Sequence, residues 1–170
     1  MDEIINKVAL SPLITIDLEE YYPEGERVSI DIKEQLLEGF LLRERDFRTF
    51  IEEHKWSQYE AKYVAVFCSH DAIIPRWAWM LMAVALEPYA KKIVFGNLEA
   101  LESALYSEIL GKFNPEDFRD QKVVVKGCSK KPVPVSAYVE LSALLRPVVK
   151  SIMYGEPCST VPVYKNKNKS

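Results

Sequence analysis

The chain has 170 residues, of which 48% are hydrophobic and 28% charged, a mixture typical of one soluble globular domain that buries a core without disulfides. Its net charge of −3 gives no general attraction to nucleic acid or an anionic membrane, and Met1-Asp2-Glu3 does not resemble the start of a signal peptide. We therefore expect a cytoplasmic protein that binds neither nucleic acid nor membrane and whose three cysteines stay reduced.

The first third of the chain predicts two strands and a helix. Both strands alternate apolar with polar residues, as half-buried strands do, and the turn residues between them favour a hairpin. The helix is predicted from an apolar face formed by Phe47, Phe50 and Ile51, and His54 at its end is expected to be solvated. The predicted segments are strands at 13–17 and 28–32, a short helix and strand within 36–42, and a helix at 43–55.

From residue 56 onward one pattern occurs twice: a buried strand, a Cys-Ser pair, a proline, a helix, a second proline, a second strand and a glycine. Proline suits the first turn of a helix because its missing N–H loses no hydrogen bond there. In both copies the prolines are thirteen positions apart and the glycine follows after eight more. The matching features are Tyr59 with Phe118, Cys68-Ser69 with Cys128-Ser129, Pro75 with Pro134, Pro88 with Pro147, and Gly96 with Gly155.

This repetition indicates an internal βαβ duplication, with about one residue gained before Cys128 and one lost after it. Any two βαβ units look alike in outline, but helix periodicity does not require fixed proline and glycine spacings. The alternation of strands and helices predicts an α/β fold with a mainly parallel sheet, which should include residues 63–67, 93–95, 123–126 and 152–154. The expected organisation is one domain over 1–170, with an N-terminal part at 1–55, duplicated units at 56–97 and 115–156, a helix at 98–110 between them, and a flexible tail at 165–170.

A Cys-Ser pair follows three of the predicted strands. The carboxyl ends of parallel strands lie at one edge of a sheet, where α/β folds bind ligands, and neighbouring strands are only about 4.8 Å apart. The first two pairs also precede a helix N-terminus, which favours a thiolate. We therefore predict one shared site in which Cys68 and Cys128 are the closer pair. Prolines in the loop of Cys158 allow this third cysteine to point outward.

Three thiols nearly complete the coordination of a metal ion. Tetrahedral zinc takes four ligands from Cys, His or carboxylate, and His70 or Asp71 is the candidate for the fourth. An iron–sulfur species is the alternative, since its ligands are thiolates. The predicted metal ligands are Cys68, His70, Asp71, Cys128 and Cys158, with Ser69, Ser129 and Ser159 as cofactor-binding residues at the same site.

Two other interpretations compete with a metal site. In one, a cysteine is an enzyme nucleophile, with His70 as the local candidate for its base. In the other, the cysteines are small hydrophobes and the serines cap the following helices, which leaves a structural or partner-binding domain. No Walker A, G-x-G-x-x-G, G-x-S-x-G or H-E-x-x-H motif distinguishes them, and the acidic residues Asp17, Glu19 and Glu20 are expected on the surface.

The segments around the three cysteines resemble one bacterial family, DUF 2480. The resemblance rests on residues 68–75, 127–138 and 154–162, extends to 16–19 and 22–27, and covers nearly the whole chain. It implies no assigned catalytic residue. It does imply an association with iron–sulfur assembly genes, which makes a protein of that machinery the candidate partner and modestly favours the metal or sulfur interpretation.

Overall fold

The computed structural model describes residues 12–127, 130–156 and 158–168. Strands and helices alternate along these residues, so the predicted α/β class with mostly parallel strands is confirmed. The strands are β1 (Leu13–Ile16), β2 (Arg27–Asp31), β3 (Tyr63–Phe67), β4 (Lys92–Phe95), β5 (Lys122–Val125), β6 (Ser151–Glu156) and β7 (Ser159–Lys165). The α-helices are α1 (Glu44–Glu53), α2 (Arg76–Leu86), α3 (Leu98–Gly111) and α4 (Val135–Leu145).

The strands form two sheets rather than the single sheet that the sequence suggested. The chain divides into two compact units, and the boundary falls within α3. The first unit combines Met1–Tyr22 with Leu105–Ser170, and the second is Pro23–Ala104. None of the helices in the described part of the chain has both the length and the apolar character that crossing a membrane requires.

The second unit contains the parallel sheet β2-β3-β4. Its central strand β3 is buried on both faces, as its continuous apolar sequence predicted. Val64 and Val66 share one core with residues of α1 and α2. The predicted helix around Phe47 is confirmed as α1, whereas residues 36–42 form a turn closed by a single bridge between Leu37 and Leu41.

The first unit contains the sheet β1-β5-β6-β7, in which β1, β5 and β6 are parallel and β7 is antiparallel to β6. Val123, Val125 and Ile152 share its core with α4. The strand β7 was not predicted from the sequence, where Pro162 argues against a strand. Proline is tolerated there because β7 lies at the edge of the sheet and its outer side needs no donor.

The duplication is visible as a constant offset of 59 positions (63 to 122, 76 to 135 and 92 to 151). Ala61 and Asp120, one offset apart, both have a left-handed backbone, with φ of 57° and 60°. Each donates its N–H to a carbonyl oxygen at 2.9 Å, of Tyr89 and Val148 respectively. The helix residues that reach the two cores also match and are all fully buried: Ala78 with Ala137, Met82 with Leu141, and Leu86 with Leu145.

The offset is the same before and after the loops that carry the first two Cys-Ser pairs, which is expected both with the predicted gain and loss of a residue around Cys128 and without them. An alignment without that gain and loss pairs different residues. At the constant offset, Cys68 matches Gly127 and Ser69 matches Cys128. Cys128 and Ser129 themselves lie outside the described residues.

The first two strands belong to the duplication as well. Asp17 follows β1 directly and Asp31 is the last residue of β2, and the side chain of each accepts a hydrogen bond from the N–H two residues later and caps a 3₁₀ helix. Each strand pairs in parallel with an inner strand of its own sheet, β1 with β5 and β2 with β3. The predicted hairpin between β1 and β2 is therefore wrong, because the two strands belong to different sheets.

Candidate functional site

The loop after β3 carries the first Cys-Ser pair. Cys68 follows the strand at once, is half-buried and packs against the margin of the core of the second unit. The next three residues, Ser69, His70 and Asp71, are exposed. Ser69 does not cap α2, because Pro75 is the N-cap residue and no side chain caps that helix end. The cap interpretation of Ser69 is therefore wrong.

Asp31 anchors this loop. Its Oδ1 atom accepts hydrogen bonds from the N–H of Lys33 at 3.0 Å and from the N–H of Ser69 at 3.1 Å. Burial of the carboxyl opposes ionisation. Hydrogen bonds from the Ser69 side chain and from the two N–H groups, with the charge of Lys33, outweigh it and lower the pKa of Asp31. The anchor is therefore a carboxylate at neutral pH.

The loop after β5 has an anchor of the same kind in the first unit. Glu19 Oε1 accepts hydrogen bonds from the N–H groups of Lys130 at 2.7 Å and Lys131 at 3.1 Å. Asp17 lies nearby in sequence and forms an ion pair with Lys126 at 3.5 Å, at the end of the same strand. Two of the acidic residues that were expected on the surface therefore interact with the β5 strand end and its loop. The predicted contacts of Cys128 and Ser129 lie outside the described residues.

The third Cys-Ser pair lies in a tight turn. Glu156 of β6 pairs with Ser159 of β7, so Cys158 is part of the short connection between the two strands. Both Cys158 and Ser159 are exposed. This turn is at the carboxyl end of β6, the edge where the sequence placed it, and its exposure follows from the hairpin that β7 makes with β6.

The predicted ligand set is not assembled among the described residues, where no group of three or more His, Cys, Asp or Glu side chains is placed to hold a metal ion. Cys68 belongs to the second unit and Cys158 to the first, and both are free thiols. In the part of the chain that the structure describes, no hydrogen bond joins Cys68 to His70. The His70 ring lies beside Gly39, where an added Cβ would come within 3.7 Å of its Cδ2 atom.

His54 was predicted to be solvated, and this prediction is wrong. Its Nε2 atom lies 2.8 Å from the hydroxyl oxygen of Tyr59, and its ring centroid is 4.7 Å from that of Trp56. Burial lowers the pKa of His54 and raises the pKa of Tyr59. His54 also lines an open polar recess of about 370 Å³ with Asp46 and Glu53. The aromatic residues that follow the helix were the available signal for this cluster.

A buried ion pair was also not predicted from the sequence. Arg27 at the start of β2 binds Glu102 of α3, with Nε and Oε1 2.7 Å apart, and both side chains are almost completely buried. Glu102 is the charged residue that the core of the described chain encloses. No local pattern indicates this pair, because its members are 75 positions apart.

The chain matches a known family model. A family model with the description "Protein of unknown function (DUF2480)" matches residues 2–166, which include both units and all three Cys-Ser pairs. No curated protein and no solved structure matches the chain.

Proposed function

We propose that this chain, which belongs to the DUF2480 family, is a metal- or sulfur-handling accessory protein that binds zinc or an iron–sulfur species through Cys68, Cys128 and Cys158. The role of accessory implies a protein partner that donates or receives the bound species, and a component of iron–sulfur assembly is the proposed one. The description of the family states no function, so the proposal depends on the residues of this chain.

The observation that supports the proposal is that a carboxylate holds the backbone of each of two corresponding loops, although the two carboxylates do not occupy matching positions in the copies. Each follows an inner strand of its sheet, β3 or β5, and each carries a cysteine. Asp31, the last residue of β2, accepts a hydrogen bond from the N–H of Ser69, and Glu19, three residues after β1, accepts hydrogen bonds from those of Lys130 and Lys131. An anchored loop loses less conformational entropy when it binds a ligand, which favours binding.

The thiolate donor atoms limit which metal species the site can bind. Thiolates are soft ligands that select zinc, copper(I) and iron–sulfur species over hard cations such as magnesium. His70 and Asp71 are exposed and leave no buried contact when they turn toward a ligand, so either can complete a site that the thiolates begin. Ser69 contributes through its N–H, which fixes the position of the backbone next to Cys68.

Elemental analysis of protein purified without oxygen and without added metal tests the proposal. We expect zinc, or iron with acid-labile sulfide, in near-stoichiometric amount, and its loss in the variant C68S/C128S/C158S. His70→Gln should weaken retention of the metal. His54→Gln removes the other histidine of the chain and is the matched control, which should retain it. Protein that contains no metal, and that does not take up zinc or an iron–sulfur cluster when these are supplied, would contradict the proposal.

A further inference from the structure

A second recess, unrelated to the cysteines, lies in the first unit where β5 and β6 begin and β7 ends. Its volume is about 320 Å³, which is within the range of small-molecule sites. Most of its lining is apolar, and the charged side chains around it are all lysines. Its lining consists of Ser151, three apolar or aromatic residues that we call the floor (Met153, Pro162 and Tyr164) and three lysines that we call the rim (Lys122, Lys150 and Lys165).

The sheet register brings these positive charges together. Lys122 of β5 and Lys165 of β7 both pair with Ser151 of β6, so they flank it in one row across three strands. Lys150 precedes Ser151 directly. In the part of the chain that the structure describes, the amines of Lys150 and Lys165 form no ion pair. Like charges grouped around an apolar surface repel one another, and a bound anion would relieve that repulsion.

The second unit has a different arrangement of side chains at the corresponding positions. At the constant offset, Tyr63 stands where the first unit has Lys122, and Lys91 stands where it has Lys150. The Tyr63 ring lies between two cations, with its centroid 5.0 Å from Arg27 Cζ and 5.1 Å from Lys91 Nζ. The second unit thus places an aromatic ring between its two cations, and the Glu102 carboxylate also pairs with one of them, Arg27. The first unit has a third cation instead, and β7 has no counterpart in the described part of the sheet β2-β3-β4.

We propose that this recess binds an amphipathic organic anion, a carboxylate or similar acid attached to a short apolar body. The lysine rim recognises the acid group, and Met153, Pro162 and Tyr164 contact the apolar body. An inorganic anion would make no contact with the apolar floor. A neutral alcohol with an apolar body of the same length would form no ion pair with the lysine rim. The site is independent of the cysteines and of the function proposed for them.

Titration with octanoate, followed by two-dimensional ¹H–¹⁵N NMR, tests the site. We expect saturable shifts of the backbone amides of Ser151, Met153 and Lys165. Acetate supplies the charge alone and octanol the chain alone, and each should bind at least about tenfold more weakly than octanoate. Equal binding of octanoate and octanol, or octanoate shifts that avoid these residues, would overturn the proposal. So would binding to vesicles of anionic phospholipid without any binding of octanoate.

A pair of charge-matched variants completes the test. Lys150→Gln with Lys165→Gln removes two rim charges from exposed or half-buried positions, so the fold should persist. The double variant should bind octanoate about tenfold more weakly or worse. Lys55→Gln with Lys112→Gln removes the same charge from exposed positions elsewhere and should bind as the wild type does. If both double variants bind equally, the lysine rim does not recognise the acid group and the proposal is wrong.

Discussion

Replacing Glu102 by glutamine should destabilise the second unit, because it leaves the buried charge of Arg27 without its counterion. The two side chains are 8% and 11% exposed, so water cannot replace the lost carboxylate. Removing one member of a buried ion pair costs about 3–5 kcal/mol of the free energy of unfolding. The cost depends on which other contacts Arg27 keeps.

Arg27 keeps several contacts. Its Nη1 atom donates to the carbonyl oxygens of Pro23 and Gly25, both at 2.6 Å. Its guanidinium also lies over the Tyr63 ring. These contacts, and the amide oxygen of the introduced glutamine, still stabilise Arg27 in part. We therefore expect the free energy of unfolding to fall by about 3 kcal/mol, the lower end of that range. The double variant R27M/E102L should be more stable than E102Q, because neither charge then remains buried.

Urea unfolding followed by tryptophan fluorescence measures this loss selectively, because all three tryptophans lie within Pro23–Ala104. Glu99→Gln is the control, since Glu99 is an exposed carboxylate in the first turn of the same helix and its loss should cost less than about 1 kcal/mol. If E102Q changes the free energy of unfolding no more than the Glu99 variant does, the buried pair does not stabilise the unit and this reasoning is refuted.

Three further predictions concern the loop anchor, the aromatic cluster and the duplicated glycines. Asp31→Ala should cost about 1 kcal/mol at neutral pH. Because the folded pKa of Asp31 lies below 3.8, urea unfolding should show that the difference from wild type disappears only as the pH falls through that lower value. Burial lowers the pKa of His54, so the unfolded state takes up its proton first. Stability should therefore fall as the pH drops below 6.5, and an unchanged stability in that range, or the same fall in His54→Gln, would contradict this. Gly96→Ala and Gly155→Ala should each lower the midpoint of thermal unfolding, since both glycines have positive φ and an added Cβ would come within 2.6 Å of Ala100 Cβ or 2.7 Å of a backbone oxygen. Calorimetry that finds either variant as stable as wild type would contradict the proposed strain.

The elements that the sequence predicted best are those whose patterns are local. The strand β3 is continuously apolar because it is buried on both faces, and its predicted bounds are confirmed. The helices α2 and α4 begin directly after Pro75 and Pro134, which fix the backbone at that point. The offset between the two copies was visible because prolines and glycines at fixed spacing reflect backbone requirements.

Lateral strand partners were not predictable in the same way. Nothing in the sequence of β1 or β2 states which inner strand it joins, and two consecutive strands proved to belong to different sheets. The same limit applied to the loop anchors. Asp31 is 38 positions from Ser69, and Glu19 is 111 positions from Lys130, so only the folded chain brings these groups together. From their local sequence, Asp17, Glu19 and Glu20 were predicted only to lie on the surface.

The measurement that tests the central claim most directly is the alkylation rate of each cysteine, followed by mass spectrometry with and without zinc. Without zinc, exposed Cys158 should react faster than half-buried Cys68. Stoichiometric zinc should protect Cys68, Cys128 and Cys158 together, and excess chelator should restore their reactivity, because a bound thiolate is no longer a free nucleophile. Unchanged rates for all three thiols in the presence of zinc, and equally after reconstitution with iron and sulfide, would contradict the proposed metal- or sulfur-binding role.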